Sequence, residues 1–218
     1  MAKKRLIVFD LDGTINNSAD CIIHCFRRTG EAYGKYDIPD DVINSALTGP
    51  FDTNIAKVLG LKHDQVLEAI NEYAVHFEKA SPIMSHLFTG AMETLEYLKA
   101  LGYKIGLATM MVDSYAVDIL ERYGVIDLFD SVHGIDRSFV CNRKEELIRS
   151  CMDDTGIGPA ETVMIGDGFD DHRAAMEAGT DFIAALYGFG LDEEYCERTG
   201  IRGIRDITEL KSLFSQQS

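Results

Sequence analysis

The sequence predicts an α/β fold: a doubly wound parallel sheet, with an all-helical domain inserted after the first strand. Three observations carry that prediction. Leu6-Ile7-Val8-Phe9 is a short, continuous apolar run, as expected of a strand buried on both faces of a parallel sheet. Residues 20–77 show only helical periodicity. From Thr89 onward, strand and helix patterns alternate, which implies right-handed βαβ units on one parallel sheet.

Taken in order, the first strand ends on Asp10. Within the helical block the clearest pattern puts Val66, Ile70, Tyr73, Ala74 and Phe77 on one helix face. A helix over residues 91–101 stops at Gly102, and a strand over 103–108 comes next. A helix over 113–123 stops at Gly124, ahead of a strand at 131–133 and a helix over 144–152. Then come a strand at 162–165, a helix over 171–178 stopping at Gly179, and a strand at 182–185. The expected division is a core of residues 1–16 and 87–218 around a helical domain of residues 17–86.

Composition narrows the function classes. The 218 residues carry 21 Lys plus Arg against 36 Asp plus Glu, a net charge of −15, and that field repels nucleic-acid backbones. An anionic small substrate would therefore need local positive charge inside its site. The basic start Met1-Ala2-Lys3-Lys4-Arg5 is followed by an apolar run that breaks at Asp10, too short for a signal core, and no stretch reaches membrane-spanning length. Five scattered cysteines do not form a secreted disulfide framework, so a cytoplasmic setting is expected.

Ligands of a parallel α/β sheet bind beyond the carboxyl ends of its strands, so the residues just after each strand are the candidates for chemistry. After the first strand, Asp10 and Asp12 share one side of Asp10-Leu11-Asp12-Gly13-Thr14. Such a pair divides labour between a nucleophile and a general acid/base, and Gly13 allows a backbone N–H to approach an anion. An acidic turn after a strand is the plain alternative. Thr109 comes after the next strand, where its hydroxyl serves either a phosphoryl oxygen or a helix start. Lys144 stands at a helix N-terminus, where a cation opposes the dipole, so it is either a neutraliser of phosphoryl charge or part of a solvated charge run. Gly166-Asp167-Gly168-Phe169-Asp170-Asp171 supplies hard oxygen ligands suited to Mg2+, or else caps the next helix.

These four sets of residues resemble the signature motifs of the haloacid dehalogenase superfamily, in the phosphoglycolate phosphatase-like branch, over nearly the whole chain. The resemblance implies a Rossmann-like core with a helical cap and a magnesium-dependent phosphatase acting on a small phosphorylated metabolite. It makes Asp10 the nucleophile and a metal ligand. Asp12 becomes the general acid/base, with its carbonyl on the metal. Thr109 and Lys144 bind the phosphoryl group, beside Gly13, Thr14 and Met110. Asp167 completes the Mg2+ site, which Asp171 supports directly or through water. Thr48-Gly49-Pro50-Phe51 resembles the substrate-facing loop of the cap, giving Gly49 and Pro50 a binding role. Met110 and Met111 depart from the branch, which often has Asn and a basic residue there. A phosphomutase is the alternative reading, and a non-catalytic protein of this fold is a third. A monomer or homodimer is expected, with neither nucleic acid nor membrane as partner.

Overall fold

The computed structural model describes residues 3–136 and 143–215. It divides into two units, residues 1–16 with 87–218 and residues 17–86. The larger contains a six-stranded, all-parallel sheet of β1 (Leu6–Phe9), β4 (Lys104–Val112), β5 (Ser131–Ile135), β6 (Thr162–Gly166), β7 (Asp181–Ala185) and β8 (Arg202–Ile204). Their spatial order is β5-β4-β1-β6-β7-β8. The chain therefore winds outward from β1 in one direction, returns, and winds outward in the other. Such a sheet has its ligand crevice at the reversal, between β1 and β6.

Leu6, Ile7, Val8 and Phe9 are fully buried, because β1 lies between β4 and β6 with helices covering the sheet. The helices of this unit are α5 (Ala91–Ala100), α6 (Asp113–Arg122), α7 (Lys144–Thr155), α8 (Phe169–Ala178), α9 (Glu193–Thr199) and α10 (Glu209–Ser215). Ile148 and Cys151 of α7, with Ala174 and Ala175 of α8, pack on Leu6, Val8, Ala108 and Met164 of the sheet. Full burial of the Leu, Ile, Val and Met side chains in this set stabilises by roughly 1.5–3 kcal/mol each.

Four helices make up the smaller unit: α1 (Ala19–Ala32), α2 (Asp40–Asn44), α3 (Phe51–Leu59) and α4 (Val66–Met84). Its core is aromatic, with the Tyr73 ring 5.3 Å from that of Phe26 and 4.7 Å from that of Phe51. The buried stripe of α4 runs through Ala69, Tyr73, Phe77, Ala80 and Ser81, so the face expected from Val66 and Ile70 is rotated and those two are half-buried. Cys21 and Cys25 are buried core residues of α1. Gly49 takes φ 90° ahead of Pro50, and the buried Asn54 holds this loop by donating to the carbonyl of Thr48 at 2.8 Å. Two-residue strands, β2 (Asn16–Asn17) and β3 (His86–Leu87), pair where the chain passes between units.

Two differences from expectation bear on the site. β4 continues past Ala108 to Val112, because Val112 regains pairing with Ile135 after an irregularity in the ladder. β8, α9 and α10 lie beyond the last strand the sequence indicated. Among the described residues no helix is long and apolar enough to cross a membrane.

Candidate active site

Asp10 leaves the end of β1 with its N–H donating to Ile165 of β6 at 2.9 Å, which brings it beside the carboxyl end of the neighbouring strand. Asp167 comes from the turn after β6 and Asp171 from the first turn of α8. Carboxylate oxygens of Asp10, Asp167 and Asp171 all lie within 4.8 Å of one another, and all three residues are buried. Lys144, the first residue of α7, donates to Asp10 Oδ1 at 2.5 Å and also pairs with Asp171 Oδ1. The misplaced cation of the sequence is therefore turned inward. Asp171 uses its other oxygen to accept the Gly168 N–H at 2.8 Å, closing the first turn of α8.

With every group ionised, three carboxylates face one ammonium, a net of −2 among buried side chains. Burial pushes the Asp10 carboxyl well above the usual range, against the pull of Lys144. Burial and the neighbouring Asp171 charge push Asp167 up to about 7. Burial alone would lower Lys144, yet the charges of Asp10 and Asp171 hold it above its ordinary value, so it stays protonated. An all-oxygen donor set with uncompensated negative charge fits a hard divalent cation.

Gly13 takes φ 80°, and a Cβ there would run into the Asp167 carboxylate. Thr14 is fully buried. Its hydroxyl donates to Asp167 Oδ1 at 3.4 Å, so this candidate phosphate ligand spends its side chain on the acidic cluster. Asp12, half-buried, accepts from Asn16 Nδ2 at 2.8 Å. Thr109 is 2% exposed, and its Oγ1 accepts the Met111 N–H at 3.1 Å, which leaves its own proton to donate elsewhere. Met110 exposes its side chain near the end of β4. Gly49 and Pro50 belong to the smaller unit. His172 is buried, its Nδ1 2.8 Å from the Tyr195 hydroxyl and its ring against Phe182.

Sequence reasoning missed the loop after β7. There the Phe189 N–H donates to Asp167 Oδ2 at 2.7 Å, the Leu191 N–H donates to the Asp167 carbonyl at 2.8 Å, and the Tyr187 hydroxyl donates to the Thr14 carbonyl at 2.9 Å. A Cβ on Gly188 would meet Asp167 Cγ at 2.7 Å. The visible signal was Gly188-Phe189-Gly190 directly after a strand region, a pattern that permits close backbone approach.

Acidic groups at the carboxyl end of a doubly wound sheet, tied to one buried lysine, define a class of hydrolase. Residues 7–185 match the family described as haloacid dehalogenase-like hydrolase, and the chain belongs to that family. It is 29% identical over 208 residues to a 5'-nucleotidase of Pseudomonas aeruginosa, covering 95% of this chain and 94% of that one. It is 26% identical to a phosphoglycolate phosphatase of Thiobacillus denitrificans, over 85% of this chain and 84% of that one. A haloacid dehalogenase-like hydrolase from Streptococcus pneumoniae shares the fold, with TM-score 0.88 and 24% identity over 98% of this chain and 100% of that one.

Proposed function

We propose that the protein is a magnesium-dependent phosphatase, similar to phosphoglycolate phosphatases, that hydrolyses a small phosphate monoester through a phospho-aspartate on Asp10. The chain is a phosphoric monoester hydrolase by family and by its phosphatase relatives. The observation that carries the finer reading is the buried Asp10, Asp167 and Asp171 cluster, tied to Lys144 at the sheet's reversal point. In this reading residues 1–16 and 87–218 are the catalytic domain. Residues 17–86 are its cap, with Gly49 and Pro50 as candidate substrate-binding residues.

Asp10, Asp167 and the Asp12 carbonyl would hold Mg2+, with Asp171 in support, and the bound ion would supply positive charge against the transferred group. Asp10 attacks phosphorus as the bond to the leaving oxygen breaks, and Asp12 gives that oxygen a proton. Asp12 then takes a proton from water as the water oxygen bonds to phosphorus and the bond to Asp10 breaks, releasing inorganic phosphate. Lys144 neutralises charge on Asp10 and on the phosphoryl oxygens, and Thr109 donates its hydroxyl proton to one of them.

The test is phosphate release from a panel of phosphorylated metabolites, with rapid-quench trapping of labelled enzyme. Turnover in Mg2+, its loss in EDTA, and label on the wild type but not on Asp10→Ala are the expected results. Full turnover in EDTA, or label passed to a second hydroxyl instead of appearing as free phosphate, would overturn the reading.

A further inference from the structure

We infer that Tyr123 and Asn16 form a positioning relay that fixes which oxygen of Asp12 carries the transferable proton; this rests on the acid/base role proposed for Asp12. Asn16 is fully buried and locked into the turn after β1. Its N–H donates to the Leu11 carbonyl and its carbonyl accepts the Gly13 N–H, both at 2.8 Å. Its side-chain Nδ2 donates to Asp12 Oδ1 at 2.8 Å.

An amide has two faces, and a flip would set its oxygen against the Asp12 carboxylate. The Tyr123 hydroxyl prevents that by donating to Asn16 Oδ1 at 2.9 Å. Tyr123 comes from a different element, the C-terminal end of α6, where its own N–H donates to the Ile119 carbonyl at 3.1 Å. A hydrogen bond spanning 107 residues of sequence thus sets the amide's orientation.

The chemical consequence concerns proton placement. Oδ1 of Asp12 faces a donor, so in the acid form the proton sits on Oδ2. In the first step the Oδ2–H bond breaks and the leaving oxygen gains the proton as its bond to phosphorus breaks. In the second step a water proton returns to Oδ2. The amide and phenol protons stay where they are, so Asn16 and Tyr123 act only by orienting Asp12.

Rapid-quench rates of Asp10 phosphorylation, measured with full-length protein in Mg2+, test the relay. The substrates are p-nitrophenyl phosphate, whose leaving group needs little protonation, and phosphoglycolate, whose alkoxide needs it fully. Tyr123→Phe should slow phosphorylation from phosphoglycolate by about 3- to 10-fold, the worth of one oriented hydrogen bond, while leaving KM and the p-nitrophenyl phosphate rate unchanged. Asn16→Leu should show the same split, more strongly. Adding Tyr123→Phe to Asp12→Ala should cost nothing further. Equal slowing on both substrates, or further loss in the Asp12→Ala background, would overturn the relay. Tyr123→Phe keeps the ring and removes one O–H, so the decision rests on it if Asn16→Leu does not fold. Absence of phospho-enzyme on the wild type would instead overturn the phospho-aspartate reading beneath it.

Discussion

Replacing Asp167 by Asn removes a charge from the acidic cluster and should stabilise the cation-free protein at pH values above the raised Asp167 pKa. Asp167 is 2% exposed, and burial with the Asp171 charge moves its carboxyl from the ordinary 3.8 to about 7. At about 1.36 kcal/mol per tenfold change in proton affinity, holding it ionised costs on the order of 4 kcal/mol. Asn keeps the shape but surrenders one of the bonds to Phe189 and Thr14, a loss of about 1 kcal/mol. The net gain of about 3 kcal/mol corresponds to roughly 6–12 °C in Tm for a chain of this size.

The sign depends on pH. A carboxyl whose pKa is raised on folding carries no penalty below its ordinary value and the full penalty above its folded one. Thermal denaturation followed by circular dichroism in EDTA should therefore show Asp167→Asn melting higher than wild type near pH 8. Near pH 4 it should melt level or slightly lower. Added Mg2+ should raise the wild-type Tm and leave the variant unmoved. If Asp167→Asn were no more stable than wild type near pH 8 in EDTA, the carboxylates would already be compensated without a cation, and the electrostatic argument for a metal site would fail.

Lys144→Met strips Asp10 and Asp171 of their shared cation, and kcat in Mg2+ should fall by about 10²- to 10³-fold; a loss below about tenfold would remove Lys144 from phosphoryl neutralisation. Gly188→Ala drives a methyl against Asp167 and displaces the Phe189 N–H, so calorimetric titration should find Mg2+ bound about 10- to 100-fold more weakly, and unchanged affinity would show that the loop does not orient the ligand. Asp130 receives bonds from Lys99 at 2.5 Å, Lys104 at 2.8 Å and the Ile105 N–H at 2.9 Å. Although its burial acts to raise the pKa, these partners hold it below 3.8. Asp130→Asn should cost about 1–3 kcal/mol in urea unfolding at neutral pH, and the difference should fade as pH drops through that lowered pKa; a pH-independent cost would point to packing instead.

The central strands were legible because burial on both faces writes itself as an uninterrupted apolar run, and the acidic turns gained meaning because each of the candidate groups fell just after a strand, where ligands bind. β8 was not, since three residues, Arg202 to Ile204, are too few for any periodicity. The Met110 and Met111 stretch of β4 fell outside the strand expected over 103–108, and its pairing to β5 is irregular, resuming only at Val112. The supports of the site were hidden for a different reason. Phe189 and Leu191 act through backbone N–H groups, which no residue identity records. Asn16 and Tyr123 meet across 107 positions that no local pattern connects.

The placement of β1 between β4 and β6 also sets a timetable. Leu6 pairs with Lys104 on one side and Thr162 on the other, so the strand bearing Asp10 is synthesised before both of its neighbours and waits longest for β6. At roughly 5–20 residues per second, about 8–30 s of synthesis separate the two. Throughout that interval this wholly apolar strand has an unpaired edge. A nascent chain arrested before residue 162 should therefore engage holdase chaperones through Leu6-Ile7-Val8-Phe9 and release them once β6 is made.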